Sequence, residues 1–337
     1  MKPKNSLVKI SDNKKLIKKL LDELVLTPRL KALEWSKITK QTPNMKIGYP
    51  GQHLASLVVG MEGSRTGARG NDIVDGSEVK SCSRVDQLDT CKDCGEKVMR
   101  IEKICSSCGS HNIKRMNDSK WLFTIRNEND LEVLTKEVDR IILTLADYPD
   151  FENDNFENLR FQVFEIWTKS KRNKNFVTLM TNYYNKIYLE HKKQNVAKTP
   201  APKNFWPYSY QFYLCNPIKI FSCVVKNANS NPKIDIDYYI EPIADRTNLK
   251  SENMPIDILS NEEFQIVTRL KDKILKTAFE SDKKLKDFKK LCGEKSINIS
   301  KAKILLPYIN EEIREFLPLR DTDKISDAKS QYKRKQG

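Results

Sequence analysis

Hydrophobic and polar positions follow two different rhythms along this chain. In KKLIKKLLDELVL, residues 14–26, Leu16, Ile17, Leu20, Leu21, Leu24 and Val25 recur at helical spacing, which places them on one face of an α-helix. Ser11 or Asp12 stands where that helix needs an N-cap. A second helix is expected over 28–40, with Pro28 in its first turn. The prolines and glycines of QTPNMKIGYPG interrupt the pattern, and GQHLASLVVGM reads as a short helix against a core. Residues 128–146 show helical spacing through Leu131, Leu134, Val138, Ile141, Ile142 and Leu145, and NFVTLMTNYYNKIYLEHKK predicts another helix.

The second rhythm is that of strands. KWLFTI (120–125) is a short apolar run, and RFQVFEIW (160–167) alternates Phe161 and Val163 with polar neighbours. The proline-rich KTPAPKNFWPY (198–208) marks a boundary. Beyond it YQFYLC, KIFSCVVK and KIDIDYYIEPI predict antiparallel strands, and Ser260 with Glu263 forms a capping box for a helix over 261–280. The basic tail SQYKRKQG is expected to fray. The order implies an α/β (α+β) fold, a mixed sheet flanked by helices. Three regions follow: 1–47 helical, 48–197 a core with an insertion at about 88–116, and 198–337 an α+β region suited to recognition or dimerisation.

Composition narrows the class. No apolar run approaches the roughly 18 residues that cross a bilayer, and the basic N-terminus lacks the apolar stretch of a secretory signal. A cytoplasmic location without membrane attachment is expected. The 337 residues carry 60 Lys and Arg against 45 Asp and Glu, a formal charge of +15, which favours an anionic partner, nucleic acid first among them. A lysine-rich surface from a biased genome would give the same excess.

Eight cysteines are present, and Cys91, Cys94, Cys105 and Cys108 form C-x2-C, a ten-residue spacer, then C-x2-C. Four thiolates at this spacing predict a closed tetrahedral zinc site, structural and not catalytic. Both knuckles are followed by glycine, which permits the tight turn. The spacer KVMRIEKI is expected to form a hairpin arm. Lys92, Lys97, Arg100, Lys103, Lys114 and Arg115 decorate this ribbon, which would either clamp a phosphate backbone or brace the insertion.

NDIVDGSEVKS, residues 71–81, carries the candidate chemistry. Asp75-Gly76 between β-prone residues predicts a hairpin. A two-residue loop puts Asp72 on the face opposite Glu78. A three-residue loop, Asp75-Gly76-Ser77, pairs Asp72 with Lys80 and gathers Asp72, Glu78 and Lys80 on one face, with Ile73 and Val79 facing the core. Two such carboxylates suit Mg2+, a hard cation that takes oxygen ligands. A bound metal would lower the pKa of a water and neutralise charge on a phosphoryl group; Lys80 would stabilise the transition state. The same D…ExK residues on an exposed hairpin would simply be solvated charges. No P-loop, GxSxG or dinucleotide fingerprint is present.

These residues, and the stretch GQHLASLVVGMEGSRTGARGNDIVDGSEVKSCSRVDQLDTCKDCG, resemble the PD-(D/E)xK motif of type II restriction endonucleases, the MamI-like group in particular, over residues 48–125. The resemblance implies a restriction-endonuclease-like mixed sheet with an inserted four-cysteine zinc ribbon, and Mg2+-dependent hydrolysis of double-stranded DNA at a specific sequence. It implies Asp72 and Glu78 as metal ligands and Lys80 as the catalytic lysine. Asn71 stands where the motif often has proline, and Gln52 and Glu62 compete for the glutamate that many relatives carry on the preceding helix. Asp75 is the weaker alternative to Asp72. Arg65, Arg69 and Arg84 bracket the motif as DNA contacts. A homodimer matching a palindromic site is expected, with a cognate DNA methyltransferase as system partner. A repair or junction-resolving nuclease, or a zinc-ribbon nucleic-acid-binding protein without catalysis, are the competing readings. KSKRNKN (169–175) would contact DNA or simply be a solvated loop; NFWPYSYQFY (204–213) would stack on bases or, more simply, pack in the core.

Overall fold

A computed structural model describes residues 1–43, 45–65, 71–194, 199–293 and 299–321. The chain begins with helices α1 (Asn13–Leu21) and α2 (Thr27–Thr39), joined through a wide π-type turn at Asp22–Leu26. Of the predicted face Ile17, Leu21 and Val25 are buried, Leu16 and Leu20 are part-buried and Leu24 is exposed; Leu26, outside the predicted stripe, is buried beside them. The cap differs. Asp12 takes a left-handed φ of 54°, and its side chain makes no capping bond. Helix α3 (Gly48–Val59) follows, then β1 (Glu78–Ser83).

The insertion comes next, with β2 (Asp89–Cys91), β3 (Lys97–Val98) and β4 (Ile113–Lys114) in a small antiparallel sheet of order β3-β2-β4. The spacer contributes β3 and then turns at Met99–Glu102, so it is not a free hairpin arm. Strand β5 (Trp121–Phe123) pairs with β8 (Lys203–Phe205). Between them lie β6 (Arg140–Asp147) and β7 (Leu159–Trp167), and after them β9 (Ile218–Lys226) and β10 (Lys233–Tyr239). The main sheet has the order β1-β6-β7-β9-β10, with β1 parallel to β6 and the other pairs antiparallel. It continues past residue 198, since β9 and β10 both come from beyond that point.

Two expectations fail here for one reason. Residues 140–147 are a strand, not the end of a helix, and every one of them is buried. Ile141, Leu143 and Leu145 enter one core while Ile142 and Ala146 enter the other. A strand covered on both faces is a continuous apolar run, which periodicity alone cannot separate from a helix. Conversely YQFYLC is a helix, Tyr210–Leu214, capped by Ser209 Oγ accepting from Phe212 N; all five of its residues are buried, so no polar face betrays it. Ser260 and Glu263 do form the capping box, but the helix stops at Thr268.

Each core has its own layer. Helices α1 and α3 cover one face through Ile17, Leu54 and Val58. The other face packs against Phe176, Phe205, Phe212 and the C-terminal helices. Phe205, Trp206, Tyr208, Tyr210, Phe212 and Tyr213 are all buried, so NFWPYSYQFY is core rather than a base-stacking surface.

Candidate functional site

The site begins where helix α3 meets β1. Gly51 of α3 lies so close to β1 that an added Cβ would overlap Ser81 Oγ and stand 2.7 Å from Thr144 Oγ1. That close approach brings the next residue, Gln52, over the chain leading into β1. Gln52 Nε2 donates to Asp72 Oδ1 at 3.1 Å.

The segment before β1 is not the expected hairpin. Asp72 and Ile73 both send their N–H to Ser77 O, at 2.9 and 3.2 Å, and Gly76 N donates to Ile73 O at 2.9 Å. The loop therefore spans Val74, Asp75 and Gly76, in neither expected register. Gly76 takes φ 87°, the left-handed region open to glycine. Residues 72–74 pair instead with 62–64, through Ser64 N to Asp72 O and Val74 N to Glu62 O. Asp72 and Lys80 are thus not cross-strand partners.

The side chains nevertheless converge. Strand β1 is the edge of the sheet, and its Val79 N–H finds a carboxylate instead of another strand: Asp72 Oδ2 accepts it at 2.8 Å. Lys80 Nζ pairs with Glu78 Oε1. Ile73 and Val79 point into the core beneath. Glu78 and Lys80 open on a cavity of about 120 Å³ whose walls include Phe123, Thr124, Asp130 and Leu134. Burial raises the Asp72 carboxyl above the ordinary range; the Val79 N–H pulls it down, the Glu78 charge pushes it up and Lys80 pulls it down. Two oxygen-donor carboxylates, with burial disfavouring the charged form of Asp72, make a donor set that a hard divalent cation would suit.

Comparison with known proteins decides the family. The model of the family described as MamI restriction endonuclease matches residues 34–257. The chain belongs to the MamI restriction endonuclease family. Its match runs from α2 through β10, enclosing Gln52, the 72–80 segment, the ribbon and the main sheet. A curated relative, type II restriction enzyme MamI of Microbacterium ammoniaphilum, is 38% identical over 55 residues, 16% of this chain. The aligned part covers 18% of that relative's length. No solved structure matches the chain.

Within this MamI-family chain the remaining expected residues separate. Glu62 is exposed, and Gln52 is the α3-side group that reaches Asp72. Asp75 is turned inward, its Oδ1 accepting from Ser77 N at 3.0 Å and its Oδ2 from Arg140 Nη2 at 2.6 Å. Arg65 is exposed; Arg69 lies outside the described residues. Arg84 is a correction. It is fully buried, with Nε donating to Ser119 O at 3.2 Å and Nη2 to Pro207 O at 3.3 Å. It ties β1 to the β5–β8 region and has no surface to offer DNA. In KSKRNKN, Asn173 is buried and Arg172 pairs with Glu311.

The cysteine cluster assembles as the spacing predicts. The four Sγ atoms lie within 4.8 Å of one another, with Cys91–Cys108 and Cys94–Cys105 both at 3.6 Å. Four sulfurs about 2.3 Å from a central zinc would stand roughly 3.8 Å apart. Gly95 and Gly109 turn the knuckles at φ 79° and 73°. Of the six basic residues on the ribbon, Lys92, Lys97, Lys103 and Lys114 are exposed. The two arginines turn inward. Asp89 accepts from Arg100 at 2.9 and 2.8 Å and from Arg115 at 2.9 Å. Arg100 also lies 5.0 Å from the Phe151 and Phe156 ring centres, bracing the ribbon on the body.

Sequence reasoning missed Arg140, Asp75 and Ser77 as a group. Arg140 fell inside an expected helix, so no pattern pointed to its neighbours.

Proposed function

We propose that this chain is a type II restriction endonuclease that hydrolyses double-stranded DNA at a specific sequence with Mg2+. The observation that carries the proposal is the Asp72 carboxylate seated on the Val79 N–H beside Glu78 and Lys80, in a chain of the MamI family. Its arrangement supports a PD-(D/E)xK fold and active site. Asp72 and Glu78 would hold Mg2+, which when bound supplies Lewis acidity and a water of lowered pKa. Gln52 holds Asp72 from the α3 side. Lys80, half-buried next to Glu78, keeps an ammonium where charge builds on the phosphoryl oxygens. Water oxygen would bond to phosphorus as the bond to the leaving sugar oxygen breaks, the water giving up a proton to solvent and the departing oxygen taking one up. Water in the bulk cannot do this readily, because a phosphodiester repels hydroxide and offers it no fixed positive charge.

In this reading Cys91, Cys94, Cys105 and Cys108 hold a structural Zn2+. The exposed lysines of the ribbon and Arg65 face the phosphate backbone, and two copies of the chain act on a palindromic site. A cytoplasmic setting beside a cognate methyltransferase follows from that role. Among the described residues no helix is long and apolar enough to cross a membrane.

Digestion of a plasmid of known sequence tests the proposal. Purified protein with Mg2+ should give defined fragments, and EDTA should stop the reaction. Lys80→Ala or Glu78→Ala should lower the cleavage rate by at least about a hundredfold while DNA binding persists. A preference for branched or mismatched DNA would instead indicate a repair enzyme, and binding without Mg2+-dependent cleavage a non-catalytic module.

A further inference from the structure

Between the two proposed metal ligands runs a turn whose base is anchored by the buried Ile73 but whose tip has little apolar anchorage. Val74 is 42% exposed, and among the described residues nothing lies within 4 Å of a Cβ built on Gly76. Backbone pairing with residues 62–64 holds the strand up to Val74, but the tip beyond it needs a further hold, because the separation of Asp72 from Glu78 depends on its shape. The candidate is one guanidinium. Arg140 opens β6, which pairs with β1 in the register Glu78 to Ile141, so Arg140 stands level with the end of the turn. Its Nη2 donates to Asp75 Oδ2 at 2.6 Å and its Nε to Ser77 Oγ at 2.9 Å. Its third contact points away from the turn, Nη1 to Glu165 Oε1 at 2.8 Å. Glu165 is itself held by Trp167 Nε1 at 2.9 Å, and the guanidinium lies 5.3 Å from the Trp167 ring centre. The Arg140 side chain is 1% exposed and those of Asp75 and Glu165 are 8% and 0% exposed.

We propose that Arg140 is a positioning residue for the metal site. A planar guanidinium with donors in fixed directions sets orientation as well as distance. Gripping Asp75 and Ser77 together, it fixes the turn on the sheet, and the turn in turn seats Asp72 on the Val79 N–H. Glu165 and Trp167 stop the guanidinium from rotating. Arg140 reaches neither DNA nor metal in this arrangement; it acts through Asp75 and Ser77. The inference rests on Asp72 and Glu78 being the metal ligands.

Three substitutions test it. Asp75→Asn keeps the size and the acceptor for Ser77 N but loses the charge facing Arg140. Ser77→Ala removes the hydroxyl, and Ser77→Thr retains it. Cleavage of the cognate site is measured against Mg2+ concentration, with a thermal melt of each variant. Groups that hold a metal ligand in place typically change metal affinity 10- to 100-fold when lost. Asp75→Asn and Ser77→Ala should therefore raise the half-saturating Mg2+ concentration by about tenfold or more, while Ser77→Thr stays near the parent. A merely structural contribution would lower the melt and reduce the rate at every Mg2+ concentration alike. The inference is overturned if both folded variants keep the parent's half-saturation. Asp72→Asn separates the positioning role from the assignment of the metal ligands. If it abolishes cleavage while Asp75→Asn is normal, only the positioning role fails; if it cleaves normally, the assignment of the metal ligands fails as well.

Discussion

The Asp72 carboxylate lies 2.8 Å from the backbone nitrogen of Val79, where an edge strand would otherwise leave its N–H to solvent. A side chain seven positions earlier thus completes the sheet's hydrogen bonding and places its charge beside Glu78. The placement is electrostatically expensive, a cost that a bound cation would relieve. Burial and the Glu78 charge both raise the Asp72 carboxyl, against the single backbone bond and Lys80.

That cost has a sign that can be measured. With its folded-state pKa raised, Asp72 contributes stability below the ordinary Asp range, and that contribution is lost as pH rises through the folded value. Asp72→Asn should accordingly melt at a higher temperature than the parent in EDTA near about pH 7.5, the gap closing as pH falls toward about 4. Added Mg2+ should raise the melting temperature of the parent and not of the variant. Differential scanning fluorimetry across pH, with and without metal, checks both; a variant less stable than the parent at neutral pH would contradict the account.

Arg84 and Arg65 should behave as opposites. Arg84→Ala leaves the Ser119 and Pro207 carbonyls without their buried donor, which should destabilise the protein by about 1–3 kcal/mol. Well below its melting temperature, DNA affinity should stay at the parent value. Arg65→Ala, at an exposed position, should leave the melt unchanged and reduce the salt dependence of DNA binding. Denaturant melts and fluorescence anisotropy at several salt concentrations distinguish the pair.

Thiol chemistry should count the metal site. Cys82 and Cys223 are buried, which pushes both thiols up to about 12, and Cys215 is buried too. Cys292 is part-exposed; in the ribbon Cys94 and Cys108 are exposed, and Cys91 and Cys105 are buried only within the small knuckles themselves. A thiol reagent on zinc-loaded native protein should modify Cys292 alone. After chelation Cys91, Cys94, Cys105 and Cys108 should become reactive. Mass spectrometry of the labelled protein would refute the zinc assignment if the four react equally fast before and after chelation.

Gly51→Ala should loosen the seat of α3 on β1. The added methyl overlaps Ser81 Oγ and meets Thr144 Oγ1 at 2.7 Å, an overpacking that should cost about 1–3 kcal/mol. Ser81→Ala in the same chain should recover part of the loss, since Ser81 Cβ stands at 3.0 Å. Because Gln52 travels with α3, cleavage should fall further than stability alone explains. Equal losses in the single and double variants would mean that the close approach is not what matters.

Local pattern was enough for several elements and misleading for others. The capping box at Ser260 and Glu263 was legible because both groups answer to the same few backbone atoms. The convergence of Asp72, Glu78 and Lys80 was also legible, but through the wrong geometry. The Asp75-Gly76 pair signals a turn, and it does not say that Val74 begins the loop or that residues 62–64 supply the pairing strand. Arg84 looked like a surface arginine because its motif neighbours are polar. Its burial depends on Ser119 and Pro207, 35 and 123 positions away.

By itself the sequence determined the chemistry on offer: two carboxylates and a lysine within nine residues, four cysteines at zinc spacing, and helical stripes at the start of the chain. Such features depend on residue type and short spacing, which travel with the chain whatever it folds against. Tertiary structure alone decided which groups meet. The β6 run became a strand because both of its faces are covered, Asp75 turned inward because Arg140 waits on the neighbouring strand, and the ribbon's arginines became braces because the Phe151 and Phe156 rings of the body lie against them. A buried charge takes the partner that the packing brings to it, and that partner is set by contacts far apart in the chain.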